Sequence, residues 1–348
     1  KASMSALFLN KIGDLFFILG IVMAVGIFSD LSLSTIFSLI SHLNGDLIFL
    51  LTLCFIGAAA AKSALIPLHT WLPNAHSEAP AGGSVILAAL MLKMGAYGFL
   101  RFSLPITPGI HAATDWFLII LALIAIVYIG LVSIAQKDLK QLIAYSSISH
   151  MGIVTLGIFM VFMIVGETHD RLEAVISVQG AVFQMIAHAF SSGALFIGVG
   201  YISQRFHSRM IKDYQGLVHA MPIFAAFFML FAMANVGLPG TSGFVGEFLV
   251  ILAAFKANIG VALLASLTLI LAPAYTLWMY KRVLFGKAKS VAMSTPNDIT
   301  ALEIFVLVLL AVPVIIFGVY PEPILNLSHA TTAHFIQHVM DKIPQGAY

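Results

Sequence analysis

The chain has 348 residues, 60% hydrophobic and only 9% charged, with a mean hydropathy of +1.02 and a net charge of +2. Soluble domains carry about 25% charged residues, so the composition excludes a soluble globular protein and predicts a polytopic membrane protein. One cysteine, Cys54, rules out disulfides within the chain, CxxC redox or zinc sites and cysteine-ligated iron–sulfur clusters.

Crossing about 30 Å of hydrocarbon takes roughly 20 apolar residues. Nine runs qualify, near 5–28, 47–66, 84–104, 115–135, 142–165, 173–202, 222–255, 260–281 and 299–320. The first starts almost at once from "KASMSA", without a signal-peptide pattern, which points to a piece of a longer protein. Within it Lys11 and Asp14 are three apart and spaced to pair on one helix face. Span two runs into "SALIPLHTWLPNAHSEAP", with Pro67, Pro73 and Pro80, and span seven contains "NVGLPGTSGFVGEF", with Gly237, Pro239, Gly240, Gly243 and Gly246. Proline removes a helix hydrogen bond and glycine weakens the ladder, so both spans should break. Broken helices in lipid survive only where protein or a water-filled cavity satisfies the freed backbone, and paired breaks point to a transport site. The glycine run lacks the GxxxxGK[ST] pattern and a preceding strand, which argues against a phosphate loop.

If the spans alternate, the loops after spans two, four, six and eight share one side. They hold Lys137, Lys140, Arg205, Arg209, Lys212, Lys281, Arg282, Lys287 and Lys289, against Arg101, Arg171, Lys256 and Lys342 opposite. Nine against four places the first group on the cytoplasmic side. The basic loop 282–298 reads as a solvated face and not a nucleic-acid patch, because no aromatic platform accompanies it.

Four ionisable residues stand inside apolar surroundings: Lys62, Lys93, His188 and Glu247. A charge at the bilayer centre costs about 2.5–3.5 kcal/mol on insertion scales, so each needs a partner or a purpose. Snorkelling remains an alternative for Lys62, helix packing for His188 and a backbone cap for Glu247, whereas Lys93 is too deep to snorkel. Burial favours a lysine's neutral form and a nearby carboxylate its charged form, so two lysines, a histidine and a glutamate beside two breaks predict a proton relay. His69, His76 and Glu78, at the end of span two, are secondary candidates for feeding it, as is His150 in span five. His69 and His76 do not predict a metal site, because Pro73 between them should break the helix face that would align them.

"PLHTWLPNAHSEAPAGGSVILAALMLKMGAYGFLRFSLP", "QKDLKQLIAYSSISHMG", "GAVFQMIAHAFSSGALF", "GLPGTSGFVGEFLV" and "FGVYPEPILNLSH" resemble the antiporter-like membrane subunit M of bacterial respiratory complex I, the counterpart of mitochondrial chain 4. The opening "SALFLNKIGDLFFILG" reads more like subunit L. The resemblance implies an inverted-repeat antiporter-like fold of fourteen helices, with the nine spans here as helices six to fourteen. A single transmembrane domain, 1–335, would be followed by a short tail, 336–348. Lys62 matches the lysine of the first broken helix, Lys93 the central lysine of the next, His188 the relay histidine, and Glu247 the glutamate of the second broken helix, where sibling subunits carry lysine. The family's glutamate on helix five, which pairs with the first lysine, precedes this chain.

The function so implied is proton translocation within NADH:quinone oxidoreductase, an oxidoreductase and translocase of electron transport. No cofactor belongs to this chain; NADH, FMN, iron–sulfur clusters and quinone would sit in other subunits. Partners would be the L-type and N-type antiporter-like subunits and the lipid bilayer. A Mrp-type cation/proton antiporter and a membrane-bound hydrogenase subunit are the alternatives.

Overall fold

The computed structural model describes residues 2–28, 32–40, 43–106, 112–168, 170–286 and 297–341. Lys287, Lys289, Lys342 and residues 342–348 of the expected tail lie outside them. In chain order come α1 (Ala2–Ile27), the short α2 (Leu33–Leu39), α3 (Gly45–Lys62) and the short α4 (Trp71–Glu78). Next are α5 (Ala81–Ile106), α6 (Ala113–Ile134), α7 (Leu139–Glu167) and α8 (Arg171–Phe206). The remainder comprises α9 (Pro222–Val236), α10 (Ser242–Ala257), α11 (Ile259–Leu284), α12 (Ala301–Val319) and α13 (Glu322–Met340). Among the described residues eight of these are long and apolar enough to cross a membrane: α1, α3, α5, α6, α7, α8, α11 and α12. A ninth crossing is split into α9 and α10, whose 15 and 16 residues are each too short alone. The all-helical membrane fold with two broken spans is as the sequence predicts.

Burial orders the bundle. The apolar window of α7 is entirely buried, whereas those of α1 and α12 are each 17% buried. A helix hydrophobic all round belongs inside, so α7 is the central post, α8 packs along it, and α1 and α12 turn apolar side chains outward. The last predicted span ends at 320 and the predicted tail starts at 336, whereas α13 is one helix that runs from Glu322 through the second of these boundaries. Its polar residues, His329, His334 and His338 among them, keep it out of the crossing set, and it lies against α8, where Gln179 donates to Leu325 O at 2.8 Å and Arg171 to Ala333 O at 3.3 Å.

Each break has a local cause. α3 stops at Lys62, and residues 63–70 run irregularly through Pro67 before α4 begins. Trp71 Nε1 donates to Ala61 O at 3.2 Å across this gap. Pro73 does not break a helix, as the sequence suggested; it sits in the first turn of α4, where a missing N–H costs nothing. α9 ends at Gly237, whose φ of +78° suits glycine. Leu238 N–H then returns to Met233 O at 3.0 Å, and Thr241 leads into α10.

The connections grouped by charge meet at one end of the bundle. Arg209 pairs with Asp138 at 2.8 Å and Glu78 at 3.0 Å, and Lys140 Nζ donates to Ala79 O at 2.6 Å. Arg205 pairs with Glu303 at 2.7 Å, and Gly216 N–H donates to Phe285 O at 3.3 Å. Lys256 bonds Glu173 at the opposite end, at 3.2 Å.

Candidate functional site

The site begins where α5 departs from α-helical geometry. Over Leu87–Met91 the ladder widens, with Leu92 N–H reaching back to Leu87 O; such one-turn bulges recur at functional positions. Lys93 follows directly. Its Nζ donates to Ala88 O at 2.5 Å and meets Nδ1 of His188, on α8, at 2.7 Å. His188 is 2% exposed, and its Oγ neighbour Ser192 bonds its carbonyl at 2.5 Å.

Beyond His188 stands His150 of α7, the two imidazole centroids 5.3 Å apart. His150 Nδ1 lies 2.6 Å from Oε1 of Glu247 on α10, both side chains 2% exposed. Gln184, one turn before His188, donates to the same carboxylate oxygen at 3.0 Å. On the far side of His150, the Tyr275 hydroxyl of α11 is 3.2 Å from Nε2. Five helices thus supply one buried line of polar side chains, and both Glu247 Oε2 and His188 Nε2 remain without a hydrogen bond among the described residues. A deeply buried glutamate beside a histidine is expensive unless paired; here the pair and the Gln184 amide supply that pairing.

Lys62 occupies a separate station. At the last residue of α3 and a third exposed, its Nζ lies 2.9 Å from Asp14 Oδ1 and 3.3 Å from Asn10 Oδ1, both on α1. Asp14 also holds Lys11 at 3.4 Å, the pair expected from their spacing. α5 passes close behind. A Cβ at Gly95 would fall 2.2 Å from Ser63 N, so only glycine lets the Lys93 helix touch the chain just after Lys62.

The structure therefore brings Lys93, His188 and Glu247 into one cluster, as the sequence suggested, and moves His150 from its edge to its middle. His76 is fully buried, stacked on Phe196 with centroids 4.4 Å apart, and His69 is partly buried in the break. Asn10, Gln184 and Tyr275 were not singled out from sequence. Gln184 stands four before His188, a one-face spacing that would have found it; Tyr275 in "LAPAYTLWMY" is indistinguishable from an ordinary interfacial aromatic.

Residues 1–272 match the family model described as NADH:quinone oxidoreductase/Mrp antiporter, transmembrane. The chain belongs to this family. Within the NADH:quinone oxidoreductase/Mrp antiporter family it is similar to NADH-quinone oxidoreductase subunit M of Rhodobacter capsulatus, 48% identical over 296 residues, which are 85% of this chain and 56% of that protein. The resemblance to subunit M drawn from the quoted motifs is borne out. The chain spans little more than half the length of that relative. Among solved structures it superposes on a chain of respiratory complex I from Thermus thermophilus with bound NADH at a TM-score of 0.85 and 30% identity, covering 97% of this chain and 69% of that one. The Mrp complex from a Dietzia species shares the fold, with a TM-score of 0.83 at 20% identity, over 97% of this chain and 70% of that one.

Proposed function

We propose that the chain is a proton-translocating membrane subunit of a bacterial NADH:quinone oxidoreductase, set in the cell's inner membrane with the Arg209 end in the cytoplasm. The observation that carries this reading is the buried line Lys93, His188, His150 and Glu247, which joins the helix packed against the first break to the helix that follows the second. L-type and N-type subunits would flank it, and the redox groups would lie in other subunits.

Proton transfer follows from the geometry. A protonated Lys93 hands its proton to His188 Nδ1, to which it is already hydrogen-bonded. The imidazolium then donates from Nε2, which has no partner among the described residues, toward His150, whose ring centroid lies 5.3 Å from its own. His150 passes the proton along its 2.6 Å contact to Glu247. Lys62 sets the state of Lys93: when it leaves Asp14, its positive charge is no longer neutralised on the neighbouring helix. Quinone reduction elsewhere in the complex would drive that change of pairing. Moving one charge against the membrane potential costs about 2.3 kcal/mol per 100 mV, which a lysine pKa change of about two units matches at 1.36 kcal/mol each.

The test is NADH-driven proton uptake by inverted membrane vesicles carrying Lys62→Ala in the full-length subunit, with a native gel for assembly. Collapse of uptake in an assembled complex supports the reading, and wild-type uptake removes Lys62 from the relay. Sodium-driven proton exchange without NADH would favour the Mrp-type alternative instead.

A further inference from the structure

The end of α11 carries a second polar feature that the relay does not use. Lys137, Lys212, Lys281 and Arg282 line a cavity of about 730 Å³ together with Trp278 and Gln215, and no carboxylate lines it. Among the described residues none of the four cations forms an ion pair. Arg282 Nη2 is buried without a hydrogen-bond partner, while its guanidinium lies 5.3 Å from the Trp278 ring centroid and Lys281 Nζ 5.7 Å. Four like charges about one cavity repel each other, and a buried unpaired donor calls for a partner that the described residues do not supply.

An apolar groove continues from this cavity along α11. Ile270, Pro273, Ala274 and Leu277 line it, its volume is about 440 Å³, and it shares Trp278 and Lys281 with the cavity. A free phosphate would engage the cations and leave the groove empty, whereas a lipid occupies both. Trp278 stands at the junction, where interfacial aromatics mark headgroup depth, at the end of the bundle whose excess of cations faces anionic lipid. We infer that this is a site for one anionic glycerophospholipid, with its phosphate among Lys137, Lys212, Lys281 and Arg282 and an acyl chain along Ile270 to Leu277.

The experiment uses the intact complex with the full-length subunit, delipidated in detergent and exposed to phosphatidylglycerol bearing a photoreactive diazirine on one acyl chain. Mapping the crosslinks should place them on the peptide from Ile270 to Lys281. Labelling should fall roughly fivefold with Lys212→Gln and again with Arg282→Gln, the change expected for about one surface cation lost each time. Ala274→Trp, which fills the groove and leaves every cation in place, should abolish it; if that variant does not assemble on a native gel, the two charge variants decide. Equal labelling by the phosphatidylcholine analogue, or labelling indifferent to both charge variants, overturns the proposal in favour of unselective annular lipid. Full competition by millimolar inorganic phosphate overturns it in favour of a phosphate site.

Discussion

His150 is the residue on which the line of side chains depends, because it bonds both the Glu247 carboxylate and the Tyr275 hydroxyl. Glutamine in its place still offers an amide donor to Glu247 but cannot take up and release a proton. His150→Gln should therefore assemble and lose about a hundredfold of its proton uptake in vesicles, the low side of what a proton-transferring group contributes. Tyr275→Phe removes one hydrogen bond of about 1 kcal/mol and should slow uptake only modestly in the same assay. Asp14→Asn takes from Lys62 the one carboxylate that it pairs with among the described residues. If Lys62 acts through that pair, adding Asp14→Asn to Lys62→Ala lowers uptake no further than Lys62→Ala alone, while additive losses would separate the two residues. Lys93, His188 and Glu247 were legible in the sequence because a charge in an apolar run is costly. His150 was visible too, but its rank was not: which imidazole lies nearest the carboxylate is set by the packing of α7 against α10, residues 97 apart in sequence.

At the scale of elements, the breaks bring functional groups together. Gly237 closes α9 with φ +78°, and a Cβ there would lie 3.2 Å from Glu247 Oε2, so the turn and the carboxylate occupy one small volume. Gly237→Ala should cost about 1–2 kcal/mol in backbone strain and displace Glu247. The expected outcome is a lower thermal midpoint of the purified complex with proton uptake impaired beyond what the lost stability explains; an unchanged midpoint would mean that the turn relaxes. Run length and proline–glycine clusters made the nine crossings and both breaks readable. The widened turn at Leu87–Met91 was not, since five apolar residues in a helix look alike whether the ladder reaches back four or five. α13 was not either, because its histidines and threonines mask the few apolar residues it buries, Ile324 beside Phe183 and Ala187 of α8, and Ile336 and Val339 in the main core.

For the whole molecule, sidedness can be read directly from which connections meet. The connections following α4, α6, α8 and α11 are tied together through Glu78, Asp138, Arg209 and Phe285, so they share one end as a matter of contact and not only of charge count. Replacing Cys54 with serine leaves no other cysteine, a background in which one introduced thiol reports one location. Gln204 is exposed near the end of α8 on the Arg209 side, and Glu167 is exposed at the last residue of α7 on the opposite side. In inverted vesicles a membrane-impermeant maleimide should modify Gln204→Cys and spare Glu167→Cys, with the reverse in right-side-out cells, each read as a mass shift of the full-length subunit. The opposite pattern would turn the Arg209 end outward. The positive-inside imbalance would then be misleading here, and the cation cavity beside Trp278 would face the leaflet with the weaker claim on anionic lipid.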